Sequence, residues 1–185
     1  PYRAPESFGN PFADEPLPAP WITEEVFSEH LMHVGPHSAN EIAMWDDSTS
    51  PQFPRHPGRL ENMADMKDMI DQYDCGVRYT DDNIAQILDL LKKKGLYGDD
   101  LAVIITSDHG ENMGELGIYG EHATADEPTC HIPMIIKWPG AKKNFVARGL
   151  HDNVDLLPTV QELLGTKIAG NYDYDGVSYA GTLLE

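Results

Sequence analysis

The sequence predicts an α/β fold, a mostly parallel sheet flanked by helices, and three observations predict it. Leu101 to Ile105 is an uninterrupted apolar run rich in Val and Ile, as expected of a strand buried on both faces. A long amphipathic helical pattern precedes it, and helix followed by strand is half of a βαβ unit. Ile132-Pro133-Met134-Ile135-Ile136 supplies another apolar strand, stopped by Trp138-Pro139-Gly140.

Each element has its own warrant. From Pro1 to about Gly58 prolines stand too close together for helix or interior strand. Residues 1–58 therefore read as ordered surface loop, with Tyr2, Phe8, Phe12 and Trp21 available to pin it down. Thr23-Glu24-Glu25 opens a short helix running to Met32. His30 and His33 lie three apart on it, but no third ligand stands nearby, so they read as structural or solvated. Residues 59–185 form the α/β part. From Leu60 onward, apolar residues from Met63 to Leu91 recur at spacings of three and four, giving one amphipathic helix or two in line, with a skipped turn at Thr80-Asp81. Lys92, Lys93 and Lys94 suit the negative end of the helix dipole, and Gly95 its stop. Phe145-Val146 reads as a short strand. Asp155 reads as the N-cap of a helix over residues 156–164, ended by Gly165.

Chemistry is concentrated where the first strand ends. Thr106-Ser107-Asp108-His109-Gly110 brings in polar groups all at once, and ligands of open α/β sheets bind beyond the carboxyl ends of strands. Asp108 and His109 offer a carboxylate oxygen and an imidazole nitrogen to a metal ion, and Gly110 lets the backbone turn away. The plainer alternative is a polar turn with Asp108 as an N-cap. A Ser/His/Asp triad is disfavoured, because adjacent extended residues point to opposite faces. Gly110, Gly114, Gly117 and Gly120 make no phosphate cradle: GK[ST] is absent, and Glu111, Glu115 and Glu121 would repel phosphate. They read as a sharply turning loop, followed by a second polar cluster of Glu121, His122, Asp126 and Glu127.

Composition narrows the partners. With 185 residues, 41% of them hydrophobic, the chain can build a core. A formal charge of −18 argues against nucleic acid or an anionic membrane surface, and it demands a local cation for any anionic substrate. No apolar run approaches the length of a membrane-spanning helix. Two cysteines, Cys75 and Cys130, make no disulfide framework. The chain opens on Pro, which suggests that it begins partway through a longer one.

Taken in order, several segments resemble the sulfatase family of the alkaline-phosphatase superfamily. PYRAP is similar to the segment directly after the His of the family's H-x-PY element. YDCGVRYTDDNIAQILDLLKKKGLYGDDLAVIITSDHGENMGE resembles its long helix, turn and metal-binding strand end. HIPMIIKWPG resembles the next strand, and VDLLPTVQELLG with DGVS the closing helix and turn. The resemblance implies an alkaline-phosphatase-like sandwich, of which residues 1–185 are the central-to-C-terminal part of one catalytic domain. It implies that Asp108 and His109 hold a divalent cation, usually calcium, against a sulfate ester of a small molecule or sugar. A cationic residue, usually Lys, contacts the leaving oxygen in such enzymes. Here the alignment offers either Glu121 or His122, and His122 is the chemical substitute, since imidazolium can donate a proton to an alkoxide.

The chain also departs from the family. The nucleophile is a formylglycine made in a C/S-x-P-x-R motif, and neither CGVRY nor CHIPM matches it. The paired Asp residues that complete the metal site lie upstream of H-x-PY. Nucleophile and remaining ligands are therefore expected in a preceding part of the same domain, and the 185 residues alone are expected to hydrolyse nothing. A phosphonate monoester or phosphodiester hydrolase of the same superfamily, a non-catalytic acidic calcium-binding domain and a degenerate pseudoenzyme are the alternatives.

Overall fold

The structure is a computed structural model and describes residues 2–43, 48–166 and 173–184. It divides into two units, Pro1–Leu90 with His109–Ile132, and Leu91–Asp108 with Pro133–Glu185. Among the described residues, no helix is long and apolar enough to cross a membrane.

In the first unit, α1 (Glu24–His30) begins at Thr23, whose side chain accepts from the Val26 N–H. Asn62 caps α2 (Met63–Lys93), its Oδ1 accepting from the N–H groups of Ala64 and Asp65. The pattern that allowed one helix or two thus forms one. It ends where Gly95, at φ 69°, lets the Gly95 and Leu96 amides return to Lys92 and Leu91. The N-terminal half of α2 buries Met66, Met69 and Ile70 against Tyr2, Ile22, Phe27, Ile42, Leu60 and Tyr119. Farther along, the same stripe meets solvent: Val77 and Ile87 are more than half exposed. The chain before α1 is held by Arg55, buried to 7% exposure, which donates to the carbonyls of Pro5 and Gly9. Tyr2 is buried beside Tyr73 and donates to Met113 Sδ, whereas Trp21 stays exposed.

In the second unit, β1 (Val103–Thr106) pairs with β4 (Met134–Lys137). The pairing is antiparallel, with Thr106 opposite Met134, which corrects the parallel register predicted for the sheet. A parallel pair needs a crossover that carries the chain back to the starting edge. Here the segment between the strands returns to the edge at which β1 ends, so β4 runs backwards beside it. Nor is β1 buried on both faces: its first three residues are half-buried, and Ile135 of β4 is 63% exposed. Phe145-Val146 forms no strand. The helix α4 (Leu156–Leu164) is entered through a turn at Asn153–Asp155, where Asp152 and Asp155 exchange backbone bonds as a capping box. Asp155 is therefore the partner in that box rather than a simple N-cap. Its carboxylate also accepts from Val177, and Thr159 accepts from Tyr179, fixing the Gly-Val-Ser turn on α4 ahead of α5 (Ala180–Leu184).

Candidate functional site

The segment that begins at His109 runs into β2 (Asn112–Met113) and returns through β3 (Tyr119–Glu121). The two strands pair antiparallel with Asn112 opposite Glu121. In that register the residue before Asn112 comes opposite the residue after Glu121, which brings Glu111 to His122. His109 joins them: one ligand atom from each of His109, Glu111 and His122 lies within 4.8 Å of the others. His122 Nδ1 stands 3.8 Å from Glu111 Oε2. The Glu111 side chain is 8% exposed and that of His122 51%. Burial pushes the Glu111 carboxyl above its usual range, and the neighbouring His122 and His109 pull it back.

Two features hold this arrangement. Gly110 runs so close to α3 (Glu127–Cys130) that a Cβ would sit 1.9 Å from the Pro128 carbonyl oxygen, while its N–H donates to Thr129 at 2.8 Å. Its glycine is thus required by close approach rather than by a turn. Behind it the buried Asn112 amide donates to Thr124 at 2.9 Å, Thr129 at 3.0 Å and Asp126 at 3.2 Å. Asp126 also caps α3 through the Thr129 N–H, so this member of the polar cluster is structural.

The remaining predicted residues separate by environment. Asp108 is exposed and belongs to the second unit; Ser107 Oγ donates to its carboxylate at 3.4 Å, and Asn153 to its backbone carbonyl at 3.2 Å. Glu121 is engaged, with Oε2 2.6 Å from His37 Nε2 and Oε1 accepting from the His122 and Ala123 amides. His30 meets the Tyr119 hydroxyl at 2.7 Å, a structural contact as the sequence suggested. Beside Glu121 opens a cleft of about 400 Å³ lined by His33, His37, Ser38, Ile118 and Thr124 among others. Among the described residues, His37 Nδ1 and Ser38 Oγ are buried with no hydrogen-bond partner. The two residues that sequence reasoning missed are Glu111 and His37. Glu111 had a signal, since residues two apart in an extended segment share a side. His37 had none, because it meets Glu121 only through the fold.

Comparison with known proteins agrees with this reading of the segments. The sulfatase family profile matches residues 24–166. The low-salt glycan biosynthesis sulfotransferase Agl7 of Haloferax volcanii is 31% identical over 144 residues, 75% of this chain and 34% of its own length. The solved phosphonate monoester hydrolase of Silicibacter pomeroyi superposes with a TM-score of 0.63 at 26% identity, over 91% of this chain and 31% of that one. BT4656, solved in complex with its substrate D-glucosamine-2-N,6-O-disulfate, gives 0.52 at 29% identity over 64% of this chain and 23% of that one. The chain thus spans about a third or less of the length of these relatives. With the profile covering most of its residues and the segments in family order, the chain belongs to the sulfatase family of the alkaline-phosphatase superfamily.

Proposed function

We propose that the chain is the central-to-C-terminal part of a metal-dependent hydrolase that cleaves sulfate esters. The observation that carries this reading is the gathering of His109, Glu111 and His122, all from the segment that follows β1 in sequence, in a chain of the sulfatase family. Asp108 and His109 are the proposed ligands of a divalent cation, calcium by family resemblance. When bound, such an ion polarises the sulfate oxygens and offsets the repulsion from a chain of charge −18. His122, half exposed, is the proposed proton donor to the leaving oxygen. Glu121 is committed to His37 and two amides, which favours His122 over Glu121 for that role.

The formylglycine nucleophile and the other ligands are assigned to a preceding part of the same domain. Cys75 is buried in α2, its Sγ 3.6 Å from the Gly9 carbonyl, and neither cysteine sits in the required motif. The proposed substrate is a small-molecule or sugar sulfate ester. BT4656, with its disulfated glucosamine, supports the sugar class. A second reading, phosphonate monoester hydrolysis, is favoured by the extent to which the Silicibacter pomeroyi enzyme covers the chain.

The test offers 4-nitrophenyl sulfate and a 4-nitrophenyl phosphonate ester to a longer protein carrying this chain and to the 185-residue chain alone. The longer protein is expected to prefer the sulfate and the short chain to release no nitrophenol. Preference for the phosphonate would favour the second reading, and turnover by the short chain would contradict the assignment of the nucleophile.

A further inference from the structure

The donor set of the gathered residues does not suit the ion that the family resemblance implies. Calcium takes six to eight oxygen ligands. His109, Glu111 and His122 offer two imidazole nitrogens and one carboxylate, the set that imidazole-preferring ions of the zinc class accept with an open position left over. We propose that these three side chains form a site for a zinc-class divalent ion that discriminates against calcium.

Three features of the first unit carry the proposal. The His109 Nδ1–H donates to the Gly110 carbonyl at 2.7 Å. A carbonyl only accepts, so in the neutral ring Nε2 holds the lone pair, as it does when a backbone oxygen orients a metal-binding histidine. Among the described residues, the nearly buried Glu111 side chain faces two imidazoles, and a buried carboxylate is either paired or bound to a metal ion. His122 is the adjustable member. Ligand atoms around a tetrahedral ion with bonds of about 2.1 Å stand roughly 3.4 Å apart. The ligand atoms lie within 4.8 Å of one another with the His122 ring stacked on that of His109, so the proposed site requires the half-exposed His122 ring to turn out of that stack toward the shared ion.

The site shares His109 with the proposed calcium position. An imidazole held by a metal through one nitrogen cannot take the imidazolium form that protonates an alkoxide, so zinc-class binding and proton donation by His122 are alternative states. The proposal is tested by binding alone and so stands or falls apart from hydrolysis. Cobalt(II) is titrated into the metal-free 185-residue chain and followed by visible absorption, with zinc and calcium as competitors. One cobalt ion is expected to bind with the intense bands of a four- or five-coordinate nitrogen-containing site. Stoichiometric zinc is expected to displace it, and a hundredfold excess of calcium to leave it in place. His122→Ala and Glu111→Gln are each expected to weaken binding at least tenfold, and His131→Ala, at an exposed histidine elsewhere, to leave it unchanged. Circular dichroism checks that the variants fold. His122 is on the surface, so its variant keeps the test decisive if Glu111→Gln unfolds. Displacement of cobalt by equimolar calcium, wild-type affinity in His122→Ala, or no cobalt bound to the folded chain would overturn the proposal.

Discussion

The imidazole rings of His109 and His122 lie face to face, their centroids 4.0 Å apart and their planes 10° from parallel. One ring comes from the residue that opens the β2–β3 hairpin segment and the other from the residue just after it, so the strand register sets the pair. His109 is half-buried while the His122 side chain is half exposed, which gives the two rings different prospects. His109 suits a fixed ligand, and His122 suits a group that meets substrate.

The proton-donor role of His122 predicts a dependence on the leaving group. An alkoxide needs the proton far more than 4-nitrophenolate does, and general acid catalysis contributes about 10²–10⁴-fold where it is needed. In a longer active protein, His122→Ala is expected to lower kcat/KM for an alkyl or sugar sulfate by about 100-fold or more. For 4-nitrophenyl sulfate the loss is expected to stay within about tenfold. Equal losses on both substrates would assign His122 to binding instead.

Gly110 is expected to tolerate no side chain. A Cβ there would stand 1.9 Å from a backbone oxygen, which cannot rotate away as a flexible side chain would. Gly110→Ala should destabilise the chain by about 1–3 kcal/mol, the usual cost of forcing extra volume into a filled site, read as a lowered midpoint in urea. It should also separate His109 from His122, so cobalt affinity should fall with stability. An unchanged midpoint would mean that the Pro128 carbonyl yields freely.

His56 predicts how stability responds to acid. Burial, with His37 nearby, holds its imidazole below the ordinary value of 6.5, and its ring meets Tyr2 edge-on at 4.5 Å. As pH falls through 6.5, the unfolded chain takes up a proton that the native chain still refuses. The unfolded state then binds more protons, so the stability this group contributes is present above 6.5 and is lost on acidification toward its lower native value. His56→Phe, which keeps the ring contact, should lessen the drop in Tm between about pH 7 and pH 5 relative to wild type. A drop as steep as wild type would remove His56 from the explanation.

What was legible in the sequence was what local chemistry decides. The Thr23 cap and the spacing of three and four from Met63 fix helices through contacts a few residues away, as do the stops at Gly95 and Gly165. Asp108 and His109 stood out because a carboxylate and an imidazole arrive together at a strand end, and His122 because the family resemblance puts either it or Glu121 where a cationic residue meets the leaving oxygen. Pairing was not legible, since helix-then-strand order is silent on whether β4 returns beside β1 from the same edge or the opposite one. Glu111 was misjudged for a related reason. Alone it is a negative charge that repels anions; the β2–β3 register turns it into a buried carboxylate facing two imidazoles. Asp126 went the other way, from a member of a polar cluster to the cap of α3.

The central claim is that His109 serves a cation on which ester cleavage depends. Its most direct test is kcat/KM for 4-nitrophenyl sulfate in a longer active protein carrying this chain, before and after metal removal, in wild type and His109→Ala. Loss of about two orders of magnitude on chelation is predicted, with recovery on adding back a divalent ion in wild type and none in His109→Ala. Undiminished turnover by the metal-free protein, or full recovery in His109→Ala, would contradict it.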